Sequence, residues 1–316
     1  MPDRVSKARE LIRGMRKLRE QQLALERSRY NQAVIALALA RAAPAPAVDP
    51  WSPPASSCVC TQARCASPTY AEWCRRLGLE PLFNRKHWEY AYAVGVFDQM
   101  GAIGEGSRGV GFGVGREPLP AYLASCGCSV LATDQPSTND DAARWASTGE
   151  YTGNREGLAR PALCDPQLFD SRVTFRPVDM TAVPDDLIGF DFCWSLCAME
   201  HLGSLEAGAR FVERSLQCLR PGGIAVHTTE LNLSSDDRTL ADGPTVLYRK
   251  RDIDSLAARL EAKGHVVAPL DYDAGDGVLD RYVDGRPWVQ WADRPVLRVD
   301  LDGFVSTSFA LVITAA

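Results

Sequence analysis

The sequence predicts an α/β fold: an open, mostly parallel sheet of seven strands with helices on both faces, an antiparallel C-terminal strand and an N-terminal helical extension. Three observations carry this. Apolar strand-like runs alternate with helix-like runs across short loops, the pattern of βαβ winding. The strand runs are apolar throughout, as parallel pairing between two helical layers requires. The last run, SFALVITA, follows a long loop stretch instead of a crossover helix, so it returns antiparallel.

The N-terminus reads as a separate piece. Residues 1–43 hold ten Lys/Arg against four Asp/Glu, a balance of +6, so the rest of the chain carries −11 of the overall −5. Residues 5–41 read as one long helix with Leu11, Met15, Leu18 and Leu25 on an a/d-like track that Gln22 and Arg29 interrupt. That helix is the candidate surface for an oligomer or protein partner. AVIALALARAAPAPA (33–47) has the Ala-x-Ala look of a signal-peptide end, but its apolar core is short and a charged helix precedes it; it reads as a helix running into a linker. No run is long and apolar enough for a membrane span, and a cytoplasmic location is expected.

Residues 44–80 read as a Pro/Ala/Cys-rich linker with a short helix, SPTYAEWCRRLG, capped by Ser67 with Pro68 in its first turn. Cys58, Cys60, Cys65 and Cys74 crowd there at spacings that fit no usual zinc knuckle. Reduced thiols, disulfides and a metal site all stay open, with reduced thiols preferred. Cys126, Cys128, Cys164, Cys193, Cys197 and Cys218 fall in or beside apolar patterns, where Cys serves as a small hydrophobe. From residue 81 a single domain runs to 316. A helix in NRKHWEYAYAVGVFDQMGAI ends near Gly101, and the strands RGVGFGV, SVLATD, VTFRPVD, FDFCWS, GIAVHTTE, HVVAPLDY and SFALVITA follow. Between them lie helices in EPLPAYLASCG, around DDAARWASTGEY, in LEAGARFVERSLQCLRPGG and in RDIDSLAARLEAKG.

The first strand runs into G-x-G-x-G-x-G, Gly109 to Gly115, and no register of it satisfies the dinucleotide fingerprint G-x-G-x-x-G. Bare glycines at a strand's carboxyl end let a ligand approach the main chain, beside the free N–H groups of a helix start. The second strand ends in Asp134, suited to two ribose hydroxyls; the third ends in Asp179 and Met180, an acceptor for an adenine amino group and an apolar plate for its ring.

This combination resembles the class I S-adenosylmethionine-dependent methyltransferases, from about Trp88 to the C-terminus. GFGVG, DQP, VDM, FDFCWSLCAMEHLGS and LRPGGIAVHTTE are similar to that family's successive motifs in the same order. The resemblance implies S-adenosylmethionine as cofactor, held by Gly111, Phe112, Gly113, Gly115, Asp134, Gln135, Asp179, Met180 and Ser195. The family usually has an acid two positions before the first glycine of G-x-G-x-G. Gly109 stands there, and Glu89, Arg116 and Glu117 are the candidates to replace it. Asp191 reads as structural.

Methyl transfer to a hydroxyl needs a base, and His is the usual one near neutral pH. His201 and His227 follow or end strands facing the cofactor, with Glu230 as the third candidate; His87 and His265 lie away from the strand ends and read as structural. The expected acceptor is a small molecule or glycan. Glycan rests on the run DYDAGDGVLDRYVD (Asp271, Asp273, Asp276, Asp280, Asp284) with Tyr272, Tyr282, Trp288 and Trp291 nearby. The acidic body disfavours nucleic acid. The insertion 136–170, with Trp145, Tyr151 and Arg155, is long enough to close over the cofactor or to shape the acceptor site. The rival reading is a non-catalytic relative that recruits partners through its N-terminal helix.

Overall fold

The computed structural model describes residues 2–51, 55–136, 151–286 and 293–316, with side chains at position 11 and from 13 onward. The helix expected over 140–151, apart from Tyr151, lies outside the described residues, as do Trp145, Trp288 and Trp291.

Helix α1 (Pro2–Ala42) is continuous, and only its last third is packed. Ala33, Ala36, Leu37 and Ala40 are buried, an i, i+3, i+4, i+7 stripe facing the body. Leu11, Met15, Leu18 and Leu25 stay exposed. The chain then enters the sheet earlier than its composition suggests. Strand β1 (Ser57–Val59) pairs with the last strand, so the stretch read as linker supplies a strand from Ser57 onward. Helices α2 (Gln62–Cys65) and α3 (Pro68–Arg76) follow. Ser67 Oγ caps α3 by accepting from the Tyr70 N–H at 3.1 Å. The four crowded cysteines are all buried, and burial pushes the Cys58 and Cys74 thiols up to about 11. They pack as hydrophobes. Helix α4 (Arg85–Gln99) is capped by Asn84 and ends just before Gly101, whose φ is +68°.

The sheet is built from β2 (Arg108–Gly111), β3 (Ser129–Asp134), β4 (Val173–Pro177), β5 (Phe190–Leu196) and β6 (Leu219–Asn232), all parallel, in the order β4–β3–β2–β5–β6. Helices α5 (Leu119–Ser125) and α6 (Pro166–Arg172) precede β3 and β4, and α7 (Leu205–Ser215) precedes β6. Winding reverses between β2 and β5, which makes their carboxyl ends the switch point. After α8 (Lys250–Glu261) the run HVVAPLDY forms two short strands where the sequence suggests one: β7 (Val266–Val267) and β8 (Leu270–Asp271). Pro269 lacks the N–H that would continue the ladder. Its carbonyl accepts from Ser57 N at 2.9 Å, and β8 pairs with β1. Helix α9 (Val278–Arg281) and β9 (Val299–Leu301) lead into β10 (Phe304–Thr314). Strand β10 lies antiparallel to β6 from Ser306 to Thr314, as the loop before it foretold. Its other edge is shared by β9, β1 and β7.

Two apolar layers sandwich the sheet. Trp88, Phe97, Phe192 and Trp194 fill the one under α4 and α5, and Phe112, Phe211, Ile253 and Phe309 fill the one under α7 and α8. Arg298 is wholly buried and ties three regions together: it donates to Cys60 O (2.8 Å), Thr307 Oγ1 (2.8 Å) and Asp280 (2.9 Å).

Candidate active site at the carboxyl ends of the sheet

A cavity of about 390 Å³ lies at the switch point, lined by residues that follow or end β2, β3, β4, β5 and β6. The four alternating glycines have two separate tasks. Gly109 pairs with Phe192 and Gly111 with Trp194 across the β2–β5 ladder. A β-carbon at either position would fall inside the neighbouring aromatic ring. These glycines make room for β5, and Gly111 does not face the cavity. The same packing accounts for the acid missing at Gly109: Phe192, tilted against Phe97 at 4.7 Å, occupies its space.

Gly113 (φ +61°) and Gly115 (φ +51°) form the turn itself, a backbone that residues with a β-carbon rarely adopt. A β-carbon on Gly113 would lie 2.9 Å from Ala198 Cβ, at the cavity wall. The turn is tied to both neighbours: Phe112 N donates to Trp194 O (2.8 Å), Val114 N to Thr133 O (3.1 Å) and Gly115 N to Asp134 Oδ2 (3.1 Å). Phe112 itself is buried edge-on against Phe211 at 5.4 Å, so its side chain is core and not cofactor-facing as expected.

Gly113, Gly115, Asp134, Gln135, Asp179 and Met180 all line the cavity. Burial pushes the Asp134 carboxyl up to about 6, against the pull of the N–H groups of Gln135, Thr152 and Gly115. Asp179 is exposed and accepts from Thr181 N and Oγ1 at 2.8 and 2.7 Å, holding the turn at Met180. Of the candidates for the missing acid, Arg116 and Glu117 line the cavity and Glu89 sits behind Cys197. Glu117 is buried, accepts from the Trp194 indole N–H and is pushed up to about 8 by that burial.

Ser195 and His227 are corrections to the sequence reading. Both are fully buried: His227 Nδ1 lies 2.8 Å from Ser195 Oγ, and Nε2 lies 3.0 Å from Ser215 Oγ. Burial drives the imidazole down to about 3 and keeps it neutral. Its direction in β6 points it under α7, because side chains alternate faces along a strand. It is a core histidine, out of reach of the cavity. His201 does line the cavity, with Nδ1 2.9 Å from Pro244 O and 3.2 Å from Thr245 Oγ1.

Beside His201 lies a buried charge cluster of which the sequence reading singled out only Glu89 and Glu230. Glu230 is ion-paired with Arg85 and accepts from Ser306 Oγ. Glu89 holds Lys86 at 3.3 Å and accepts from Ser308 Oγ and from the Cys197 thiol (3.0 Å). Burial alone would raise Glu89, but Lys86 and Arg85 reverse it, and its carboxyl lies below the ordinary range. Glu200 accepts from Thr229 Oγ1 at 3.1 Å through Oε2. Its burial, with Glu230 nearby, pushes it up to about 8. Cys197 turns the chain out of β5 with φ +50°, a strained conformation for a residue with a β-carbon. A signal for the cluster was present: Arg85, Lys86 and Glu89 share one stretch of a helix that is otherwise apolar on its inner face.

Three acids of the C-terminal run are held in ion pairs. Asp271 pairs with Arg64, Asp280 with Arg298 and Asp284 with Arg294, while Tyr272 stacks on Phe309 at 5.3 Å. None of these groups lines the cavity.

No protein-family model and no curated protein matches this chain. Among solved structures it is similar to magnesium protoporphyrin IX methyltransferase from Synechocystis, with 12% identity over 79% of this chain and 95% of that one and a TM-score of 0.43. It is similar also to a putative sarcosine dimethylglycine methyltransferase from Galdieria sulphuraria (16% identity, 58% of this chain, TM-score 0.38). A third is a phosphoethanolamine N-methyltransferase from Haemonchus contortus (16%, 66%, TM-score 0.38). The chain spans 60% of the Galdieria protein and 44% of the Haemonchus one.

Proposed function

We propose that this protein is an S-adenosylmethionine-dependent methyltransferase acting on an oxygen of a small molecule. The observation that carries the reading is the left-handed Gly113–Gly115 turn facing Asp134 at the switch point, above a cavity of about 390 Å³. The residues fit such a nucleoside. The buried Asp134 carboxylate would accept from both ribose hydroxyls, and a β-carbon on Gly113 would intrude on the cradle. Met180 and Asp179 would bound the adenine. Lys86, which donates to Leu196 O at 3.0 Å, and the carboxyl group of Glu117 offer a cation and a hydrogen-bonding partner at the other end. When bound, the cofactor supplies a methyl group already activated on a sulfonium. The protein's part is then alignment and removal of one proton. His201, which lines the cavity and is held by Nδ1 against Pro244 O at 2.9 Å, would take that proton from an acceptor hydroxyl.

Calorimetric titration with S-adenosylhomocysteine, with NAD as control, tests this reading. Stoichiometric binding of the first alone is expected. Binding of NAD, or of neither, overturns it.

A further inference from the structure

We infer that Cys197, Glu200 and Glu230 form a binding site for one divalent transition-metal ion of the zinc class, in the wall of the cavity. The ligand atoms of these three residues all lie within 4.8 Å of one another. Bonds of about 2.0–2.3 Å in a tetrahedral site place donors about 3.3–3.8 Å apart, so the three groups must draw together by about 1 Å or a little more where they are farthest apart. The set is mixed, one thiol and two carboxylates, and suits a borderline ion better than magnesium or calcium.

A second observation points to a missing cation. Glu200 is wholly buried and lines the cavity, yet its Oε1 has no hydrogen-bond partner among the described residues. It stands 4.0 Å from His201 Nε2, beyond hydrogen-bond reach. A buried carboxyl oxygen left so is costly unless something outside the chain completes it.

The charges agree. Glu89 pairs with Lys86 and Glu230 with Arg85, which leaves Glu200 as the carboxyl group of the cluster with no Lys or Arg partner among the described residues. Binding of a divalent ion sends the Cys197 thiol proton, and any proton on Glu200, to solvent. Loss of the thiol proton breaks the bond from Cys197 to Glu89, which keeps Lys86 and Ser308. Three protein donors leave coordination positions open toward the cavity, the arrangement of catalytic rather than structural sites. Ion binding stands by itself. Its use rests on the methyl-transfer reading: an open position would hold the acceptor hydroxyl and ease its loss of a proton to His201.

The test is titration of the chelator-treated full chain with Co²⁺, a spectroscopic stand-in for Zn²⁺. One equivalent should bind, with thiolate-to-cobalt charge-transfer absorption. Cys197→Ser should abolish that absorption despite the nine other cysteines, and Glu200→Gln should weaken binding at least about tenfold. Glu200→Gln keeps side-chain volume and serves if the serine variant fails to fold. Less than one equivalent bound, or absorption and affinity unchanged in the variants, overturns the site. S-adenosylhomocysteine binding, measured separately, tells this failure from failure of the methyltransferase reading.

Discussion

At the residue scale, chemically similar residues diverge by the face they occupy. Gly111→Ala is expected to destabilise the fold by about 1–3 kcal/mol, because its β-carbon overlaps Trp194 in a packed core. Urea unfolding measures this, and an unchanged midpoint would refute the packing role. Asp134 gives a pH prediction. Its carboxyl ionises near 6, and only the ionised form accepts from two hydroxyls. Affinity for S-adenosylhomocysteine should therefore hold above pH 6 and fall below it, approaching tenfold per unit. Calorimetry over that range should show Asp134→Asn weaker by about 1–3 kcal/mol and flat with pH. His227 gives a second pH prediction, on stability. Its folded value, about 3, lies below the ordinary 6.5, so between them only the unfolded chain binds the proton. Stability is lost as pH falls through that window, by a few kcal/mol at most, and His227→Gln should flatten the dependence seen in denaturation curves.

At the scale of elements, α1 divides between an exposed stretch and a docked end. Removing residues 1–28 takes away no buried side chain described here, so S-adenosylhomocysteine affinity should stay within about twofold. Removing 1–57 also strips Ala33, Ala36, Leu37 and Ala40 from the body, together with Ser57, whose Oγ accepts from Val312 N at 3.0 Å. That deletion is expected to cost about 3 kcal/mol, read as a lower thermal midpoint. Equal midpoints for the two deletions would show that the docked end contributes nothing. The exposed Leu11, Leu18 and Leu25 keep the proposal of a partner on this helix open to sedimentation measurements.

At the scale of the molecule, the segment just after the N-terminal helix and the last strand meet in one sheet. Strand β1 hydrogen-bonds to β10, and Arg298 joins Cys60 to Thr307 and Asp280. Unfolding from Ser57 onward should therefore be one cooperative transition, with far-UV dichroism and tryptophan fluorescence coincident. Two separated transitions would return residues 44–80 to the status of an independent piece.

The sequence by itself determined the parallel sheet, the direction of its last strand, the glycine turn, and the acids ending β3 and β4. Each is written locally, in periodicity, in residues that tolerate positive φ, and in short spacing. Only the tertiary structure separated His201 from His227 and showed that Gly109 and Gly111 yield to the rings of β5. It alone brought Arg85, Lys86 and Glu89 of one helix against Cys197, Glu200 and Glu230 of two strand ends. The reason is the period of the β-strand. One residue of offset moves a side chain from the cavity to the core, and that offset is set by neighbouring strands far away in the sequence.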